Sequence, residues 1–64
     1  MNKDVTNIKV GDRLVGKGRG EVTAIAIHDA ATPPRIFFDY APEVNRSTAP
    51  WESFRLNENV EVSS

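Results

Sequence analysis

The sequence predicts an all-β fold, a small barrel in which about five short antiparallel strands form two packed sheets. Two observations carry this expectation. Apolar and β-branched residues recur at alternate positions in short runs, and glycine-rich or proline-rich connections separate those runs. No segment between them is long enough for the crossover helix that a parallel sheet needs. With 64 residues the chain has length for one hydrophobic core and no second domain. A composition of 39% hydrophobic and 27% charged residues lies in the globular range and away from the profile of intrinsic disorder. There is no cysteine, so neither disulfides nor thiolate metal ligation can supplement apolar packing.

Residues 1–7 lack an apolar period and read as a flexible N-terminal arm, leaving residues 8–62 as the domain and residues 63–64 as a frayed end. Ile8, Val10 and Leu14 share one parity, and Gly11-Asp12 offers a turn or bulge before a first strand at residues 13–15. Gly16-Lys17-Gly18-Arg19-Gly20 places three glycines at alternate positions, which suits a tight connection between antiparallel strands. A second strand follows over residues 22–27, with Thr23, Ile25 and Ile27 on one β-branched face. Residues 28–34 end in Pro33-Pro34 and form the next loop, because proline lacks an amide donor and restricts the residue before it. Residues 35–40 give the clearest strand, with Ile36, Phe38 and Tyr40 on one side and Arg35, Phe37 and Asp39 on the other. Residues 41–49 are polar and turn-rich, with a short strand around residues 46–48. Pro50-Trp51-Glu52-Ser53 fits a single 3₁₀ turn before a late strand at residues 54–56, and Val60 and Val62 alternate in a closing strand.

The stretch from Val10 to Ile25 carries a Gly11-Asp12 pair entering a strand, a glycine-containing turn, and a Gly20-Glu21-Val22 step into the next strand. In this it resembles the opening hairpin of SH3-like barrels, including the KOW type and the polymerase-binding CarD type. The resemblance covers about sixteen residues and extends more loosely through residues 36–40 and 50–56. It implies an SH3-like barrel and a place near the transcription machinery. Gly11-Asp12-Arg13 also resembles the start of the plasmid-borne type of dihydrofolate reductase, which implies a small oligomeric enzyme around a shared pore. The Val-Gln-Ile-Tyr segment that lines that pore has no counterpart between Tyr40 and Leu56.

The glycines fit neither a Walker loop nor a dinucleotide fingerprint, so they read as a hairpin. Around them Lys9, Arg13, Lys17 and Arg19 stand against Asp12 alone, a local charge of +3 in a chain whose net charge is −1. Such an edge can meet an acidic protein surface or phosphates, and the same pattern also suits a solvated turn. If Ile36, Phe38 and Tyr40 point inward, Phe37 is left partly exposed and joins Trp51 in an apolar contact patch. His28 is the only histidine; its neighbour Asp29 points to the opposite face of an extended strand, so the two form no automatic dyad. No nucleophile motif surrounds Ser47 or Ser53, and no metal-ligand spacing is present.

The expected function is therefore a non-catalytic binding module that docks on a larger protein or nucleoprotein assembly. Arg13, Lys17, Arg19, Phe37 and Trp51 are its contact residues, and no cofactor or metal is called for. A sequence pI of about 5.7 favours a protein partner over naked nucleic acid, and the KOW and CarD resemblance pulls the other way, toward the transcription machinery. The alternatives are an oligomeric enzyme of the plasmid-borne dihydrofolate reductase type and a phage or plasmid inhibitor of a host complex. Apolar stretches too short to span a bilayer and a polar start without a signal-peptide core predict a cytoplasmic protein with no membrane partner.

Overall fold

The alternation in Arg35-Ile36-Phe37-Phe38-Asp39-Tyr40 sets the centre of the molecule. In the computed structural model, which describes residues 1–42 and 50–63, this segment is strand β4 (Arg35–Tyr40). It lies between β3 (Val22–His28) and β5 (Trp51–Arg55) in one antiparallel sheet. A second antiparallel sheet has β6 (Asn59–Ser63) between β1 (Asn2–Asp4) and β2 (Arg13–Leu14). The protein is thus all-β, with six short strands in two three-stranded sheets.

The two sheets meet through the residues that the period-2 pattern selects. Ile36, Phe38 and Tyr40 of one sheet and Leu14, Val60 and Val62 of the other are all buried in one core cluster. The Phe38 ring is fully buried and packs at 5.8 Å, centroid to centroid, against Phe54. Burial of such a ring contributes about 1.5–3 kcal/mol by area alone.

The glycine-rich segment turns as expected, and it also carries the chain from one sheet to the other. Arg13 bridges Glu21, Leu14 N donates to Gly20 O at 3.0 Å, and Val22 N donates to Asp12 O at 2.8 Å. Gly18 lies at φ +77°, a region that disfavours any residue with a Cβ.

Five expectations need correction, the briefest being the frayed end at residues 63–64: Ser63 belongs to β6 and pairs with Arg13. The first seven residues are no loose arm: β1 pairs with β6, and Val5 is fully buried with its N–H donating to Glu58 O at 3.0 Å. One apolar anchor suffices there without any period, and Asp4 caps the following 3₁₀ turn Val5–Asn7 by accepting from Thr6 N at 3.0 Å. Next, the 3₁₀ turn expected at residues 50–53 gives way to strand from Trp51 onward. Each residue of β5 from Trp51 to Arg55 pairs with β4, and a ladder satisfies more backbone groups than one isolated turn can. Fourth, Thr23 does not share a face with Ile25, because a bulge between Val22 and Ala24 shifts the register and lets Val22 and Ile25 both approach the core. Last, the late strand ends at Arg55, with Leu56 partly buried beyond it. The short strand expected around residues 46–48 lies outside the described residues.

Candidate binding surface

Register decides what the outer face of the β3–β4–β5 sheet presents. His28 lies opposite Arg35, and Arg35 lies opposite Arg55. The next outward row is Ala26, Phe37 and Ser53, followed by Ala24, Asp39 and Trp51. Side chains directly opposed across a sheet share a face, and successive outward rows are about 7 Å apart.

Three rings run diagonally over this grid. His28 and Phe37 have centroids 4.8 Å apart, and Phe37 and Trp51 have centroids 5.7 Å apart with planes tilted by 39°. Trp51 is 50% exposed and Phe37 is half-buried. Ala26 and Ser53 flank Phe37 directly, and neither is tall enough to cover its ring. The expected pairing of Phe37 with Trp51 is thus present as a contact between rings on one solvent-facing surface.

Arg35 is held along the sheet, its Nε and Nη2 donating to Ser53 Oγ at 3.2 and 3.0 Å. Arg55 is exposed beside it. Neither guanidinium makes an ion pair among the described residues. Like charges directly opposite one another in a sheet are generally destabilising, and the bonds to Ser53 turn the Arg35 guanidinium along the sheet. Past Arg55 a cleft of about 250 Å³ opens, lined by Pro33, Pro34, Arg55, Leu56 and Asn57.

The basic hairpin is different. Arg19 folds back onto the rim of the core, where Nε and Nη2 donate to the two carboxylate oxygens of Glu52 at 2.8 and 2.9 Å. Its guanidinium carbon sits 5.3 Å from the Phe54 ring centroid, and Nη1 donates to Val15 O at 3.2 Å. Tyr40 Oη donates to Glu52 Oε1 at 2.7 Å. Partial burial by itself pushes the Glu52 carboxyl up, but the bonds from Arg19 and Tyr40 together outweigh it and hold the group below its ordinary value. The hydrogen bonds to Glu52 likewise raise the Arg19 guanidinium above its ordinary value. Arg19 is therefore a clamp between the hairpin and β5, where the sequence reading made it a contact residue free to reach outward. Gly16, at φ +143°, makes room for it, because a Cβ there would come within 2.9 Å of Arg19 Cδ. Asp12 is occupied too, accepting from Lys9 N at 3.0 Å and Lys3 Nζ at 3.1 Å; the Lys9 amide first and Lys3 second hold its carboxyl below the ordinary value. Arg13 and Lys17 are exposed.

Of the five expected contact residues, the structure brings Phe37 and Trp51 together and sets Arg13, Lys17 and Arg19 apart from them. His28, Arg35 and Arg55 share the outer face with the two rings, a grouping the sequence did not reveal. His28 and Arg35 flank the 29–34 loop symmetrically, which signals a cross-strand pair. Arg55 carries no such signal while residues 50–53 are read as a turn. No group of three or more metal-ligating side chains occurs among the described residues. No family model matches the chain, and neither the curated proteins nor the solved structures yield a match.

Proposed function

We propose that the protein is a non-catalytic cytoplasmic module, built as a small SH3-like barrel, that docks on a larger protein or nucleoprotein assembly. Its docking surface is the outer face of the β3–β4–β5 sheet. The barrel reading is supported by the strand order β1-β6-β2 and β3-β4-β5, with the two sheets bonded to each other at the Arg13–Glu21 corner. The docking reading rests on the contact between Phe37 and the half-exposed Trp51. Two adjoining rings kept in water do little for the core, and aromatic anchors of this kind carry much of the binding energy where surfaces meet. Arg13 and Lys17, exposed on the hairpin, supply steering toward an acidic or phosphate-bearing assembly.

The test compares three immobilised proteins in quantitative capture from native lysate: wild type, the double variant F37A/W51A, and S63A as a control on the other sheet. Species enriched by the wild type are expected to vanish with F37A/W51A and to persist with S63A, while circular dichroism shows all three folded alike. An enriched set that survives the double substitution retires the outer face as the docking surface.

A further inference from the structure

Resting on that reading of the outer face, we propose that its ligand is single-stranded nucleic acid, with Arg35 and Arg55 facing backbone phosphates and Phe37 and Trp51 stacking bases. The charge arrangement is the first support. Arg35 and Arg55 are directly opposed in the ladder, and neither has a carboxylate paired to it among the described residues; the Arg35 guanidinium bonds to the neutral Ser53 instead. A phosphate on this face meets two cationic side chains whose charge no carboxylate has taken up, and the planar donors of arginine match phosphate oxygens closely.

Placement of the rings is the second. The outward row of Arg35 and Arg55 is followed by the row of Phe37 and then by that of Trp51. Rows lie about 7 Å apart, a separation that one nucleotide bridges between its phosphate and its base. Phe37 and Trp51, 5.7 Å apart on a diagonal, offer successive π-faces, and base–aromatic stacking tolerates any sequence. The cleft bounded by Pro33, Pro34 and Leu56 continues the surface past Arg55 and gives a neighbouring nucleotide room.

A duplex fits poorly, because its base faces are already stacked and unavailable to Phe37 and Trp51. An acidic peptide would satisfy the arginines but makes no comparable use of the half-exposed Trp51 and the Phe37 ring beside it. With a net charge of −1 the protein has no global field for polyanions, so stacking has to contribute alongside the two phosphate contacts.

The experiment titrates the full chain with a short oligothymidylate, following the fluorescence of Trp51, the only tryptophan, and the anisotropy of a labelled strand. Quenching of Trp51 is expected, with a log–log salt slope of about −1.4 for two phosphates, falling to about −0.7 in R55Q. F37A and W51A are expected to weaken anisotropy-detected binding by about tenfold or more without loss of fold. A hybridised duplex of the same length is expected to bind more weakly. A polyglutamate peptide that quenches Trp51 while the oligothymidylate does not would overturn the nucleic-acid assignment and point to an acidic protein. Failure of both ligands overturns it as well, and so does binding indifferent to R55Q and F37A. These failures are separable from failure of the docking reading, which is decided by whether capture from lysate depends on Phe37 and Trp51.

Discussion

On the inner face of the β3–β4–β5 sheet the side chains answer one another. Phe38 meets Phe54, and at the rim Tyr40, Glu52 and Arg19 close a network of charge-assisted hydrogen bonds. On the outer face the same kinds of residue meet only neutral or exposed neighbours among the described residues, Arg35 bonding to Ser53 and Phe37 touching His28 and Trp51. Phe37 and Trp51 share their contact with water, and Arg35 faces Arg55 where Arg19 faces a carboxylate. An arginine or an aromatic ring therefore has no fixed role in this chain. Its role follows from what its neighbours on that face supply. Where a partner exists the residue holds the fold together, and where none exists it is available for recognition.

The two consecutive phenylalanines give the largest test of this contrast. Phe38→Ala is expected to cost about 3–5 kcal/mol, since the ring is fully buried and the cavity cannot collapse around a rigid sheet. A domain of this size has little more than that in total, so the variant should be largely unfolded by chemical denaturation. Phe37→Ala is expected to cost about 1 kcal/mol or less, because most of its ring contact is with exposed neighbours. Similar losses for the two would mean that the outer face is a second core surface, and the distinction between the faces would collapse.

The rim network comes next in size. Glu52→Gln removes the charge that orients Arg19 and is expected to cost about 1–2 kcal/mol, a range reduced from that of a buried pair because solvent reaches both partners. Its pH dependence has a definite sign. The folded state holds the Glu52 carboxyl below its ordinary value, so its stabilisation is complete above the ordinary glutamate range and is lost as pH falls through the folded value. Asp4 and Asp12, each held low first by a backbone amide, act in the same direction. Thermal denaturation followed from neutral to acidic pH should show the wild-type midpoint falling, and Glu52→Gln should flatten that fall. An unchanged profile in the variant would mean that Glu52 is no part of the acid response.

Much of this contrast was legible in the sequence, and its limits are instructive. Strict alternation from Arg35 to Tyr40 separates Phe37 from Phe38 without any coordinates, because a strand buried on one face must send neighbours to opposite sides. The glycine hairpin was equally plain, since three alternate glycines leave few other geometries. The fate of Arg19 was not, because its partner Glu52 is distant in sequence and sits in a segment whose proline suggested a turn. Only the ladder between β4 and β5 sets Glu52 inward and Arg55 outward. Val5 escaped for a related reason: one buried residue has no period, and what anchors it is β6 at the opposite end of the chain.

The smallest effect expected is also the one that bears most directly on why the outer face looks as it does. Arg55→Glu places an opposite charge across from Arg35, and cross-strand pairs of that kind contribute roughly 0.2–1 kcal/mol. The variant is therefore expected to be slightly more stable than the wild type in urea titration while losing affinity for the oligothymidylate. Gains in stability at the expense of recognition are what a surface shows when its residues are arranged for a ligand and not for the fold. If Arg55→Glu is instead destabilising, the two guanidinium groups do not repel appreciably in water. An anionic ligand between them then has no support from charge, and the contact of Phe37 with Trp51 is what remains in favour of docking.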